Sequence, residues 1–346
     1  MRFPSVDDLT PMMGHRVVVR HLLRDDDETY DTPSKTSVTR KGPGATDVLG
    51  MMEHVDESHV IVRTADGEAR KIAVAEIIAA RAIPIRAVPR RAVRDLEGAA
   101  MLGWQATEAA RYGGWLLRAG HGFTGRANSV LPLDGPSGWI DDAVTQVEQW
   151  YRSRGLPPRF QVIEPLGTDV TETLDRRGWS AAANRTVVMT ASLSTLSPPS
   201  HATEVSIDAA PDDGWLAAYH YRGGALPAAA REIITGTGST GPATLGFASI
   251  RRVDASGNEA VAAIGRGAVT LSPDGHRWLG VTAVEVSPHY RRQGLATSLM
   301  TALAHWARAH GATDGYVQVA DENAAAQHMY EALGFSAHHH YHYRQP

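Results

Sequence analysis

Cysteine is absent from this chain of 346 residues. Its absence excludes disulfide bonds, thiolate metal sites and a cysteine nucleophile, so any acyl transfer must proceed without an acyl-cysteine intermediate. Long apolar runs are also missing, because no stretch approaches the about 18 uninterrupted apolar residues that span a membrane. The first residues lack the apolar core of a signal peptide. These features predict a cytoplasmic protein without a membrane partner.

The charge is close to balanced, with 34 basic and 38 acidic side chains and a formal net charge of −4. Such a chain has no general attraction to polyanions, which argues against nucleic acid as a partner. Hydrophobic residues at 43% and charged residues at 21% are ordinary values for globular proteins. Because single domains cluster near about 100–150 residues, the length predicts two or three domains.

Residues 15–83 carry a series of short runs rich in β-branched residues, which are typical of strands. The runs at 60–63 and 69–74 are joined by Asp66 and Gly67, a dipeptide that favours a hairpin turn. We predict a small all-β domain over residues 1–86, a barrel of the Src-homology-3 type. The acidic run 25–28 and the run 41–44 are expected to be solvated loops, with a metal or partner site as the alternative for the acidic one. The other candidate strands lie at 15–20, 36–39 and 48–52.

Two breaks divide the rest of the chain. The first is a basic stretch around Pro84 and Pro89, which we interpret as a linker with exposed charge; contact with nucleic acid is the alternative. Its arginines are Arg86, Arg90, Arg91 and Arg94. The second break is the Ser- and Pro-rich stretch 192–200. The breaks predict domains at 1–86, 90–192 and 201–346.

The last two of these domains resemble each other. Trp150 and Gly155 are spaced as Trp306 and Gly311 are, and each pair closes a helix-like pattern at a glycine. Strand-like runs, a second helix and a final strand follow in both, in register to within one residue. We infer a tandem repeat of a strand–helix–strand–helix–strand unit.

One segment of the second repeat has the pattern of a phosphate site. A β-branched strand at 281–286 leads through a basic loop into a helix whose apolar residues keep the spacing of one buried face. Unpaired amides and the dipole at a helix N-terminus favour an anion, and Gly294 lets a diphosphate approach the main chain. Arg291 and Arg292 add positive charge.

These residues are similar to motifs of the GNAT superfamily of N-acetyltransferases. Arg291-x-x-Gly294-x-Ala296 resembles its Arg/Gln-x-x-Gly-x-Gly/Ala signature, and Asn323 is followed by Tyr330 and by Leu-Gly-Phe at 333–335, as in its second motif. The resemblance covers 201–346 well and 90–192 in architecture only. It implies an α/β fold of two tandem GNAT units, of which the first is degenerate. A small barrel before tandem units is similar to one actinobacterial GNAT group.

The resemblance also implies a cofactor site for acetyl-coenzyme A (acetyl-CoA), used as co-substrate, with no metal. The pantetheine arm would bind the main chain of Val284, Glu285 and Val286, and Asn323 would contact the cofactor. Tyr330 would lie near its sulfur and protonate the thiolate after direct attack by a neutral amine. The diphosphate would lie beside Arg291 on the amides of Arg292, Gln293, Gly294, Leu295, Ala296 and Thr297.

The general base must be sought elsewhere than in several relatives, because Gln318 stands where they carry a glutamate, and an amide cannot take a proton. Glu285 is our first candidate; the alternatives are Asp321, Glu322, His289 and a water chain to bulk solvent. The acceptor is a small-molecule or a protein amine. A different class of function is a non-catalytic acyl-CoA sensor, in which the barrel binds protein or nucleic acid.

The first repeat provides a contrast. Its residues 135–140 align with the loop at 291–296 and keep a glycine, Gly138, but they carry no arginine. Ile140 takes the place of Ala296 and Leu174 that of Tyr330. We therefore predict that residues 90–192 bind no cofactor and pack against the catalytic domain.

Two further patterns are open to more than one interpretation. The histidine-rich run 338–342 falls where the repeat requires a final strand, so we predict a strand, with substrate recognition or a metal site as alternatives. For Arg126 and Asn128, which precede a strand, a structural turn is favoured over a site.

Overall fold

The computed structural model describes residues 4–14, 16–22, 44–64, 67–82, 88–196, 203–221, 224–236, 243–253, 257 and 259–346. It divides into two compact units, Met1–Ala87 and Val88–Pro346. The acidic run 25–28, the strand candidate 36–39, Asp66, Pro84 and Arg86 lie outside the described residues. No helix within the described part of the chain is long and apolar enough to cross a membrane.

The first unit contains α1 (Val6–Leu9), β1 (Arg16–Leu22), β2 (Ala45–Val55), β3 (His59–Thr64), β4 (Ala69–Ala73) and β5 (Ile77–Ala82). The five strands form an antiparallel sheet in the order β4-β3-β2-β1-β5. Alternation along its strands buries one face, with Val60 and Val62 at the centre and Leu9 from the helix against them. The predicted strands at 48–52 and 60–63 lie within β2 and β3 of this sheet. Within the described ranges no pairing joins β4 to β5, so a closed barrel is not shown.

The second unit holds the two repeats. The first comprises α2 (Arg90–Gly103), β6 (Glu108–Tyr112), β7 (Trp115–Ala119), β8 (Leu131–Pro132), α3 (Ile140–Arg152), β9 (Phe160–Glu164), α4 (Thr168–Arg176) and β10 (Ser180–Ser192). The second begins with β11 (Ser206–Asp208), α5 (Asp213–Ala218), β12 (His220–Tyr221), β13 (Gly224–Ala225), α6 (Arg231–Thr235), β14 (Thr244–Val253) and β15 (Glu259–Leu271). It continues with β16 (Arg277–Val286), α7 (Leu295–Ala309), β17 (Asp314–Ala320), α8 (Ala324–Ala332) and β18 (Ser336–Gln345).

Eight strands of both repeats form one sheet, in the order β11-β14-β15-β16-β17-β10-β18-β9. The two repeats exchange their last strands: β10 of the first repeat pairs with β17 of the second, and β18 of the second pairs with β9 of the first. A single pair in this order, β16 with β17, is parallel. The repeats are therefore joined through backbone hydrogen bonds as well as through side-chain packing.

Helices cover both faces of this sheet. On one face, α7 and α8 bury Leu299, Leu303 and Tyr330 against the strands. On the other face, α5 and α6 pack over Ile264 and Phe247, and α2 packs over Tyr316 and Tyr341. As labels, the first is called the cofactor face, because the sequence predicts Tyr330 to lie near the cofactor, and the second is called the acceptor face.

Two predicted linkers are partly wrong. Arg90, Arg91 and Arg94 do not lie in a linker, because α2 begins at Arg90 and Arg94 forms an ion pair of 2.9 Å with Asp134. Val93 and Leu96 are buried on one side of α2. In the sequence, the neighbouring arginines obscure this amphipathic pattern. In the second break, Leu193 is buried under the cofactor face, so the described part of that stretch is also packed.

The histidine-rich run forms β18, as predicted, but its alternation is broken. His339 pairs with Val188 and Ala337 with Met189, so His338 occupies a bulge. His338 and His339 consequently lie side by side, with their Nδ1 atoms 2.8 Å apart, and the Nε2 of His339 contacts buried Glu97 at 2.9 Å. The run is thus tied into the core by α2.

Candidate active site

Strands β16 and β17 separate halfway along their length. Their parallel pairing runs from Trp278 and Asp314 to Val281 and Val317, although the strands continue to Val286 and Ala320. A bulge against β15, where Ala283 has φ 54°, turns the end of β16 away. The main chain of residues 284–286 therefore faces an opening on the side toward β17.

A helix begins directly beyond this opening. A 3₁₀ turn at Pro288–Tyr290 leads into the exposed loop 291–294, and α7 starts at Leu295 with Gly294 as its N-cap. Gly294 has a left-handed backbone at φ 75° and, as a glycine, offers no side chain to cap the helix. No acidic residue lies in the first turn of α7. The first amides of α7 thus have no capping side chain, which makes the helix start a candidate anion site. Arg291 is held beside it, since its Nε donates to the carbonyl of Val286 at 3.2 Å.

The second motif of the sequence lies at the start of α8 and within it. Asn323 is the N-cap of α8, and its Oδ1 accepts from the amide of Ala326 at 3.2 Å. Its side-chain amide group remains available as a donor. Tyr330 is buried on the cofactor face, 8% exposed, with its ring 5.8 Å from that of Phe335. Burial raises the pKa of the Tyr330 phenol to about 12, so the phenol is protonated at neutral pH.

Glu285 lies on the opposite face of the sheet from Tyr330. It pairs with Ile264, which is buried on the acceptor face, and directly opposed residues of an antiparallel pair share a face. Its carboxylate accepts from the backbone amide of His220 at 2.8 Å and meets the Nδ1 of the same residue at 2.8 Å. His220 lies 65 residues earlier in the chain and belongs to no motif, so sequence reasoning missed it.

The other base candidates have different surroundings. Asp321 lies 3.7 Å from Arg185, and Glu322 and His289 are exposed. Gln318, half-buried on β17, accepts from Arg126 of the first repeat at 2.7 Å and from the Tyr341 hydroxyl at 3.5 Å. The predicted turn at Asn128 is present, since this side chain bonds five backbone groups between Gly120 and Thr124.

One buried hydroxyl stands without a partner at the opening. Thr282 is the first residue of β16 beyond the last parallel pair with β17, and its Oγ1 is buried and makes no hydrogen bond within the described chain. Buried polar groups are normally hydrogen-bonded, so an unpartnered one at such a place marks a candidate contact for a ligand.

The first repeat carries a different arrangement at the corresponding helix. Its helix α3 has Trp139 as N-cap, one residue after Gly138, and Asp141 and Asp142 lie in the first turn. Two carboxylates at this position oppose an anion. Leu174 is fully buried where the second repeat has Tyr330.

Comparison with known proteins agrees with this architecture. Residues 91–344 match a family model described as "Probable histone acetyltransferase Rv0428c C-terminal". The chain is 34% identical over 338 residues, 96% of this chain and 95% of the relative, to "Probable histone acetyltransferase Rv0428c" of Mycobacterium tuberculosis. It is 27% identical over 255 residues, 73% of this chain and 98% of the relative, to "Uncharacterized N-acetyltransferase YobR" of Bacillus subtilis.

Two solved structures share the fold. A GCN5-related N-acetyltransferase from Kribbella flavida has a TM-score of 0.50 at 15% identity, over 75% of this chain and 96% of that one. A tandem GNAT protein from the clavulanic acid biosynthesis pathway also has a TM-score of 0.50 at 15% identity, over 73% of this chain and 87% of that one. Fold and sequence together define an acyltransferase of the GNAT type. The chain belongs to the family of the Rv0428c C-terminal region.

Proposed function

We propose that the second repeat transfers an acetyl group from acetyl-CoA to a primary amine by direct attack in a ternary complex. The observation that carries this proposal is the separation of β16 from β17 immediately before an uncapped, arginine-flanked helix start. An opening between strands accommodates an extended amide-bearing arm, and the helix start accommodates a diphosphate. GNAT proteins use an acyl-CoA as co-substrate. The opening would hold the pantetheine arm of this ligand, and the helix start would hold its diphosphate.

In this proposal the main chain of Val284, Glu285 and Val286 pairs with the pantetheine arm, and its N–H groups polarise the thioester carbonyl. Asn323 donates its side-chain amide to the cofactor, and Arg291 lies beside the diphosphate. The amides that hold the diphosphate are those of Arg292, Gln293, Gly294, Leu295, Ala296 and Thr297.

Tyr330 acts as the general acid. It lies on the cofactor face, and its burial keeps the phenol protonated, as required of a group that must donate a proton to a departing thiolate. The cysteine-free sequence fits the direct route, since no acyl-enzyme on sulfur can form.

The amine proton leaves on the acceptor face through Glu285 and His220. A carboxylate that accepts Nδ1–H fixes the ring in the tautomer whose Nε2 carries a free lone pair. His220 Nε2, on a ring that is 51% exposed, then accepts the proton, and Glu285 stabilises the imidazolium formed. Glu285 thus remains in the catalytic set in the role of partner to the base.

Two classes of acceptor fit these contacts. The mycobacterial relative is named as a histone acetyltransferase, so a lysine-bearing peptide is one candidate for this chain, and a small amine is the other. No observation in the described residues favours a non-catalytic sensor.

Thiol release tests the proposal. The protein is incubated with acetyl-CoA and a panel of amines that includes a histone-tail peptide, and free coenzyme A is measured. We expect release that depends on the acceptor. Tight acetyl-CoA binding without acceptor-dependent release would contradict catalysis and favour the sensor.

A further inference from the structure

The guanidinium of Arg126, on the acceptor face, has no counterion among the residues that the structure describes. Its Nη1 donates to Gln318 at 2.7 Å, and its Cζ lies 4.9 Å from the ring centroid of Trp104. Within the described residues no carboxylate lies within ion-pair distance of it. A half-buried guanidinium that still has donors to spare is suited to bind an anion such as a carboxylate.

A second arginine increases the positive charge. Arg266 is buried on β15, and its Cζ lies 5.2 Å from the ring centroid of the same Trp104. Its guanidinium donates to the carbonyls of Ile234 and Gly103, both at 2.8 Å, and not to a carboxylate. Burial lowers its pKa to about 10, so it remains charged at neutral pH.

The Arg126 loop lies along the opening between the strands. Gln318, its hydrogen-bond partner, is on the β17 side of the opening. On the β16 side, Ala283 packs against the cluster that contains Trp104 and Ala127, the neighbours of Arg126. The carboxylate of Glu285 lies on the same face, but it already accepts a hydrogen bond from His220. The β17 side of the opening therefore contacts Arg126 directly, and the β16 side packs against the same hydrophobic cluster as its neighbour Ala127.

The loop is held in one conformation. Asn128 bonds backbone groups of residues 120–124, and Trp104 Nε1 donates to Thr124 Oγ1 at 2.9 Å. Two of its residues, His121 and Thr124, have left-handed backbones at φ 53° and 59°. Strained, over-determined segments of this kind are found where a side chain must be positioned.

We propose that Arg126 binds a carboxylate of the acceptor, so that the substrate is an amine that also bears a carboxylate, such as an amino acid. This inference rests on the proposed function and names its substrate class. The remaining donors of the guanidinium suit a carboxylate bidentately, while Glu285 and His220 receive the amine at the other side of the opening. The first repeat thereby contributes a specificity residue to the site of the second.

Matched acceptor pairs test this assignment. Lysine is compared with cadaverine, ornithine with putrescine, and alanine with alaninamide, with an amidated histone-tail peptide as a further acceptor. Rates of coenzyme A release and binding to the coenzyme A-loaded protein are both measured. We expect the carboxylate-bearing member of at least one pair to be favoured at least about tenfold in kcat/KM or Kd, the effect of one charge-assisted contact.

Arg126→Met should remove that preference by weakening the carboxylate-bearing member alone, and Arg126→Lys should restore part of it. Arg308→Met, at an exposed position of α7, is the control and should change nothing. No carboxylate preference in any pair, preference for the peptide, or an equal loss for both members in Arg126→Met would overturn the proposal. Acetyl-CoA affinity, measured separately, distinguishes these results from failure of the cofactor site.

Discussion

At the scale of single residues, Tyr330 is the simplest to test. Tyr330→Phe removes one hydroxyl from a buried ring and preserves its packing. We expect kcat to fall by about 100-fold, within the usual range for a general acid, while the Kd of acetyl-CoA stays within about twofold. Steady-state kinetics and calorimetry measure the two quantities. Because burial raises the pKa of Tyr330 to about 12, the loss should be the same at neutral and weakly basic pH.

Tyr112→Phe in the first repeat is the matched control and should leave kcat unchanged. Unaltered turnover in Tyr330→Phe would remove this residue from the acid role.

Glu285 and His220 form the second test at this scale. Glu285→Gln and His220→Gln should each lower kcat by about 100-fold, since either change destroys the pair that takes the proton. Groups that act as a unit are not additive, so the double variant should be no slower than the slower single variant. Kinetics of the four proteins completes the cycle. If the losses in kcat of the two single variants multiply in the double variant, Glu285 and His220 act independently, and the proposed pair is contradicted.

At the scale of elements, the start of α7 is decisive because Gly294 combines a left-handed backbone with an exposed position. A Cβ there meets nothing within 4 Å, so a side chain would extend into open space, where we propose that the diphosphate lies. Gly294→Asp should weaken acetyl-CoA binding by more than about 100-fold, since it adds a carboxylate where the diphosphate lies.

Gly294→Asn is the matched control, because Asn and Asp both tolerate this backbone and have nearly the same volume. It should bind acetyl-CoA better than the Asp variant and have a similar Tm. Equal binding by both variants would show that charge at this position is irrelevant and that the diphosphate lies elsewhere.

Elements with local signals were predictable from sequence. The basic loop, α7 and β18 follow from the spacing of Arg291, Gly294 and Trp306, and from the repeat. The arginines of α2 concealed a helix, because its apolar residues are fewer than its charged and small ones. The partners of the site were not predictable, since Arg126 meets Gln318 across 192 residues and His220 meets Glu285 across 65. No periodic pattern encodes such contacts.

At the scale of the whole molecule, the exchange of strands makes the two repeats one folding unit. Val187, Val188 and Met189 of β10 are buried between β17 and β18. Residues 201–346 alone would lack this strand and expose both neighbours. We expect residues 88–346 to unfold cooperatively and residues 201–346 to show no cooperative transition, as followed by circular dichroism during heating.

Residues 88–346 provide the control, because this form should bind acetyl-CoA with the affinity of the full chain. Cooperative unfolding of residues 201–346 would show that the exchanged strand is dispensable.

The central claim is that two similar scaffolds share a single cofactor site. Arg291, Gly294 and Tyr330 occur together in the second repeat, while the first keeps Gly138 but has Gly135 in place of Arg291 and Leu174 in place of Tyr330. Titration of the full chain with acetyl-CoA by calorimetry tests this most directly. One equivalent bound per chain is the predicted result, and two equivalents would contradict it.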